Sequence, residues 1–202
     1  MNGRGIVSML LVLLLGAAAL WWGSDGFTAF TAENARRLEV ERSPRPLPAV
    51  ALEDHLGAPV SLDDLSGKVV LLDFVYTRCT MICVALGQEF AELRGEIERS
   101  DLDGRVVLVT VSFDPEHDGP AQLADYANRY GGPDAAWRFV RAPAERETRQ
   151  LLRTAEVTVV PDGFGGFVHN AAIYVIDPEG RLVHIVDSDA SDEALELARG
   201  LI

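Results

Sequence analysis

Residues 69–83 read Val-Val-Leu-Leu-Asp-Phe-Val-Tyr-Thr-Arg-Cys-Thr-Met-Ile-Cys, and the stretch changes character half-way along. Its first part, VVLLDFVY, is a near-continuous apolar run rich in Val and Leu, the mark of a strand covered on both faces. Beyond Cys79, the residues Leu86, Phe90, Leu93 and Ile97 recur at helical spacing, and Gly104 closes the unit. Residues 106–113 (VVLVTVSF) supply a second buried strand. Leu123, Tyr126, Ala127 and Tyr130 line one face of a helix that Gly131-Gly132-Pro133 stops. A short strand over 137–140 and a helix over 144–155 follow. Residues 171–177 and 182–187, joined by Pro178-Glu179-Gly180, read as a hairpin. Ser191 or Asp192 can cap a final helix running to Leu201. Upstream, residues 49–52 and 59–62 flank His55 and Gly57 as a small hairpin. Strand–helix alternation ending in a hairpin and a helix implies an α/β fold, a mixed sheet with helices on both faces. A thioredoxin-like arrangement is the leading candidate, with no internal repeat and no second domain.

Outside this region the chain is different. From Ile6 to Trp22 it is uncharged and dominated by Leu, Val and Ala. A membrane-spanning helix needs about 20 residues and a signal-peptide core about 7–15, so this run sits between the two. Ala17-Ala18-Ala19 would suit cleavage, and Trp21-Trp22 would suit an interfacial anchor. An uncleaved N-terminal membrane anchor over residues 1–22 is the favoured reading. Arg4 before it and Asp25 after it place the rest of the chain on the extracytoplasmic, periplasmic side. Residues 23–47 are polar and end in alternate prolines, which hold an extended backbone and suit a tether. The domain then occupies residues 48–202. Against 18 basic residues stand 31 acidic ones, a net charge of −13, which excludes a general binder of nucleic-acid phosphates.

The chain has two cysteines, too few for a disulfide-stapled scaffold. Cys79 and Cys83 lie where the strand turns into the helix, and their i, i+4 spacing predicts both sulfurs on one helix face. The helix N-terminus and Arg78 favour the thiolate, most strongly at Cys79. Such a pair can be a disulfide when oxidised and a two-sulfur ligand when reduced. A purely structural disulfide would close a very short loop, where stabilisation is smallest. The candidate third ligands are the histidines. His55 and His117 read as surface residues and His184 as structural. His169 directly precedes an apolar strand, after the glycine-rich loop 162–166, and a thioredoxin-like sheet would bring it beside the cysteines. Met81 could act as a soft fourth donor, but at i+2 it is expected to point off the cysteine face and pack.

Three separated motifs resemble one family. They are Asp73-Phe74-Val75-Tyr76-Thr77-Arg78-Cys79 with Cys83, then Val111-Ser112-Phe113-Asp114-Pro115, then His169 followed by residues 173–180 (IYVIDPEG). In this order they look like the SCO/SenC family, from about Pro48 to the C-terminus. The resemblance implies a thioredoxin fold and a copper ion bound by Cys79, Cys83 and His169. It also implies copper delivery to the copper-accepting subunit of cytochrome c oxidase, at its binuclear copper centre. Another copper carrier or a thioredoxin-like reductant would be further partners, with no nucleic acid. The sequence departs from the family at Thr80 and Val84, where many members have proline. It departs again at Val168, often aspartate, and at His117, often arginine. Asp114 matches the family's Asp-Pro motif, as a supporting residue or as a turn.

Soft thiolates with imidazole suit copper(I), and three ligands leave room to pass the ion on. The competing reading is a membrane-tethered thiol–disulfide oxidoreductase, with Cys79 attacking and Cys83 resolving. Thioredoxin-type reductants use a two-residue spacer and a proline at the facing strand, whereas here the spacer is three residues and Asn170-Ala171 stands at the strand. A peroxidase fits less well, because Tyr76 occupies the position of that class's threonine.

Overall fold

The computed structural model describes residues 3–26, 29 and 31–202. The chain divides into two compact units, Met1–Arg42 and Ser43–Ile202. The first contains α1 (Gly3–Gly23) and α2 (Ala32–Arg42). Within α1, residues Gly5–Gly23 are long and apolar enough to cross a membrane, with mean hydropathy 2.2 and none of the stretch buried in protein. In α2 the Glu33 carboxylate accepts from Arg36 at 3.0 Å and Arg37 at 3.1 Å, pairs at i+3 and i+4 that support a short polar helix.

The second unit is built on one eight-stranded sheet. In chain order its elements are β1 (Arg45–Pro46), β2 (Leu52–Asp54), β3 (Pro59–Val60), β4 (Val69–Val75), α3 (Ile82–Glu98), β5 (Val106–Ser112), α4 (Pro120–Asn128) and β6 (Trp137–Arg141). There follow α5 (Glu145–Thr154), β7 (Val159–Pro161), β8 (Phe167–His169), β9 (Ala172–Ile176), β10 (Arg181–Asp187) and α6 (Ser191–Gly200). The strand order is β1-β10-β9-β4-β5-β6-β2-β3. β4 runs parallel to β5 in continuous register from Val69↔Val106 to Val75↔Ser112, and antiparallel to β9 on its other edge. Both central strands bury all seven residues, as their unbroken apolar sequences require. The fold is the thioredoxin-like α/β arrangement expected, a mixed sheet flanked by helices.

Three local features differ from expectation. The loop at 162–166 is the turn of a separate two-stranded ribbon, β7 with β8, paired Val159↔His169 and Pro161↔Phe167. Asp162 builds that turn, its carboxylate accepting from the N–H groups of Phe164 at 2.7 Å and Gly166 at 2.9 Å. Gly163 and Gly165 supply the positive φ angles of +79° and +90°. The first hairpin is shorter than predicted, pairing only Leu52↔Val60 and Glu53↔Pro59. Finally, Ala190 occupies the N-cap of α6 and makes no side-chain cap, so neither Ser191 nor Asp192 caps it. The turn leaving β10, closed by Ala190 N–H to Asp187 C=O at 3.1 Å, starts the helix one residue early. Asp192 and Glu193 then fall in the first turn, where the helix dipole favours acids.

α4 packs directly on α3. The Tyr126 hydroxyl donates to the Cys83 carbonyl at 2.7 Å, and the Tyr130 ring covers Gly87. A Cβ at residue 87 would lie 2.4 Å from that ring, so the close approach requires glycine. Trp137 and Phe139 stack beneath with centroids 4.6 Å apart, and the indole N–H donates to Thr110 at 3.0 Å. Gly87→Ala is expected to lose about 1–3 kcal/mol through overpacking. Chemical denaturation should record this loss, and Tyr130→Ala in the same chain should recover part of it.

Candidate metal centre

The centre forms where β4 ends. Val75 is its last residue, and the backbone turns at once, the Cys79 N–H donating to the Tyr76 carbonyl at 3.1 Å. The turn is held from outside by Asp118, which is fully buried. Its carboxylate accepts from the Thr77 N–H at 2.8 Å, the Thr77 hydroxyl at 2.6 Å and the Ser112 hydroxyl at 2.5 Å. Asp114 adds a second tie. It accepts from Arg78 at 2.8 Å, while its other oxygen lies 2.9 Å from His117 Nδ1. His117 itself is exposed, and its link to the cysteine turn runs only through Asp114.

The helical-face expectation for the two cysteines needs correction. α3 begins at Ile82, so only Cys83 lies in the helix, and Cys79 belongs to the turn before it. The sulfur of Cys79 instead takes the N–H of Cys83 at 3.3 Å. It thereby does the work of an N-cap that Met81, at that position, leaves undone. Met81 does not pack either; it is 81% exposed.

Cys79 and Cys83 are free thiols and both are buried. His169, the last residue of β8, comes to Cys83 with Nε2 3.7 Å from Sγ. The ribbon carrying it is anchored through Phe167, whose N–H donates to the Tyr76 hydroxyl at 3.2 Å. Phe113 lies edge-on to the imidazole, centroids 5.1 Å apart, and Tyr76 and Phe167 close the same cluster. His184 lies in β10 and His55 in the first hairpin turn. Among the described residues no three His, Cys, Asp or Glu side chains form a ready-made metal cage. Cys83 and His169 face each other while Cys79 is engaged with the helix N-terminus.

Burial sets the proton affinities. It pushes the Cys79 thiol up, but hydrogen bonds from the Cys83 side chain and backbone, the Met81 N–H and Tyr76 more than compensate, leaving it below an ordinary thiol. Burial drives Cys83 well above the ordinary range, and the neighbouring Cys79 and Asp73 charges add to this. Burial alone holds His169 below the usual imidazole value, so the ring is neutral near pH 7. Its Nδ1 is buried without a hydrogen-bond partner.

Asp73 is the residue whose importance the sequence conceals, although a carboxylate inside VVLLDFVY was its visible sign. It is fully buried in β4 and neither oxygen has a hydrogen-bond partner. Burial pushes its carboxyl up to about 8, with the adjacent Thr110 hydroxyl offsetting little. Asp118 was equally missed, because its partners come from two other segments.

With this geometry in place, the sequence profile described as SCO1/SenC matches residues 48–199. The chain belongs to the SCO1/SenC family. It is 29% identical to the SCO1 protein homolog of Bacillus subtilis over 129 residues, 63% of this chain and 66% of that protein. The structure of BsSco, described as a member of the Sco family of cytochrome c oxidase assembly proteins with a disulfide switch, superposes with a TM-score of 0.69. It is 22% identical and covers 79% of this chain and 94% of its own. ScoI of Bradyrhizobium japonicum, solved with copper bound, gives a TM-score of 0.65 at 26% identity, covering 78% of this chain and 99% of its own.

Two consequences can be measured. Asp118→Ala strands the buried Thr77 N–H, and thermal unfolding should show a loss of about 1–3 kcal/mol, with Asp118→Asn losing less. For Asp73 the raised folded value fixes the sign. Its contribution to stability is complete below the unfolded value near 4 and is lost as pH rises through about 8. Urea unfolding across that window should show stability falling, and Asp73→Asn should flatten the slope.

Proposed function

We propose that this chain is an extracytoplasmic copper chaperone, anchored by residues 1–22, spaced by 23–47 and working through the domain at 48–202. Cys79, Cys83 and His169 hold copper(I) as cargo, and the recipient is the copper-accepting subunit of cytochrome c oxidase. A second copper carrier supplies the ion, or a thioredoxin-like reductant keeps the thiols ready. The observation that carries this reading is the approach of a neutral imidazole to a buried thiol, 3.7 Å apart, in a SCO1/SenC chain. The donor set suits the cargo. Two sulfurs and one imidazole match the softness of copper(I), whereas a structural zinc site wants four protein ligands. His169 Nδ1 has no hydrogen-bond partner, and the Cys79 sulfur would need only to give up the Cys83 N–H to take an ion. The copper-bound state of the Bradyrhizobium japonicum protein agrees with this chemistry.

One observation favours a second reading, a thiol–disulfide oxidoreductase. Cys79 is shifted toward thiolate and Cys83 toward thiol, which is the division of labour between an attacking and a resolving cysteine. The two readings separate in a copper(I) titration of the reduced full chain in detergent against a chromogenic chelator. One-to-one competition is expected. Cys79→Ser and Cys83→Ser should lose at least the roughly 10–100-fold that even supporting residues of a metal site are worth. His169→Ala should weaken binding while leaving the disulfide free to form. No competition by the wild-type chain, with the thiols still cycling, would leave the oxidoreductase reading standing alone.

A further inference from the structure

The copper centre has a problem of access. Cys83 is fully buried, Cys79 is 6% exposed, and His169 sits in an aromatic cluster. Cargo held by another protein cannot reach these three donors in one step. One sulfur does stand outside. Met81, between the two cysteines, is 81% exposed. A solitary exposed methionine would need no explanation elsewhere on a surface. Here the ordinary roles are already accounted for: most of its side chain lies outside the packing, and Cys79 rather than Met81 caps the helix. It follows Cys79 by two residues, in the N-cap position of α3. Three rotatable bonds let the thioether sweep the space directly outside Cys79. The chain has three methionines, Met1, Met9 and Met81, so this is the one beyond the N-terminal helix.

We propose that Met81 is the outer donor through which copper(I) enters and leaves the Cys79–Cys83–His169 centre. The inference rests on the chaperone reading and deepens it. In the forward direction Met81 Sδ forms a bond to copper(I) as one ligand of the delivering protein lets go. The Cys79 thiolate then displaces a second ligand, and the Cys83 thiol gives its proton to water as its sulfur binds. Met81 Sδ departs when His169 completes the set. Copper remains monovalent throughout and no electron moves. A thioether suits this post because it is soft yet carries no proton, so its exchange costs no deprotonation.

The test uses the reduced full chain in detergent, with methionine methyl groups labelled with carbon-13 and a copper(I)–bicinchoninate complex as donor. Met81→Leu keeps the shape, removes the sulfur and assigns the Met81 methyl resonance. While substoichiometric copper(I) is exchanging on and off the centre, that resonance should broaden and those of Met1 and Met9 should not. In stopped-flow exchange, Met81→Leu should slow both uptake and release by about tenfold, while the equilibrium affinity moves less than about threefold. Unchanged exchange rates would overturn the inference and leave the chaperone reading intact. A wild-type chain that takes up no copper(I) would overturn both.

Discussion

The buried carboxylate of Asp118 is the constraint on which the centre depends. It ties the turn that follows β4 to the last residue of β5. Its three short hydrogen bonds take up the backbone N–H and hydroxyl of Thr77 and the hydroxyl of Ser112, groups that water cannot reach. A turn with so many satisfied donors has little freedom. That rigidity fixes where Cys79 leaves the sheet, and thus where α3 begins. Asp114 repeats the arrangement one layer outward, exchanging some burial for a charge pair with Arg78.

The chemistry of the site follows from what surrounds it rather than from its donors alone. Identical thiols four residues apart are driven in opposite directions because one faces backbone N–H groups and the other faces hydrophobic packing and a carboxylate. Aromatic rings strip water from His169 and hold it neutral, which is the form in which imidazole can donate a lone pair. Asp73 is a carboxyl kept fully buried and without a hydrogen-bond partner in the strand that leads into the cysteine turn.

The sequence was legible where one local period decided the structure. β4, β5 and α3 are long and their apolar residues fall on a single pattern, so their place at the centre of an α/β sheet could be read directly. The ribbon β7–β8 was not legible, since three-residue strands bearing a proline and flanking glycines look like loop. Asp118 was invisible because its meaning lies in Thr77, 41 residues away. The pairing of Cys83 with His169 was reachable from the expected sheet topology and more firmly from resemblance to a family, for no local pattern spans that distance. Met81 was misread for a definite reason. An i+2 position points off the face of its i and i+4 neighbours only inside a helix, and Met81 has φ −125° and ψ −87°, outside the helix.

Cys83 and His169 stand 86 residues apart, with β5, α4, β6, α5 and β7 between them. A polypeptide is made from its N-terminus, so both thiols exist for the whole time it takes to synthesise the intervening segments before the imidazole does. During that interval the cysteine turn has neither its histidine nor the β7–β8 ribbon that covers it. Oxidants and stray metals therefore meet a two-sulfur site first, and the three-donor site is born only when the last third of the chain folds back.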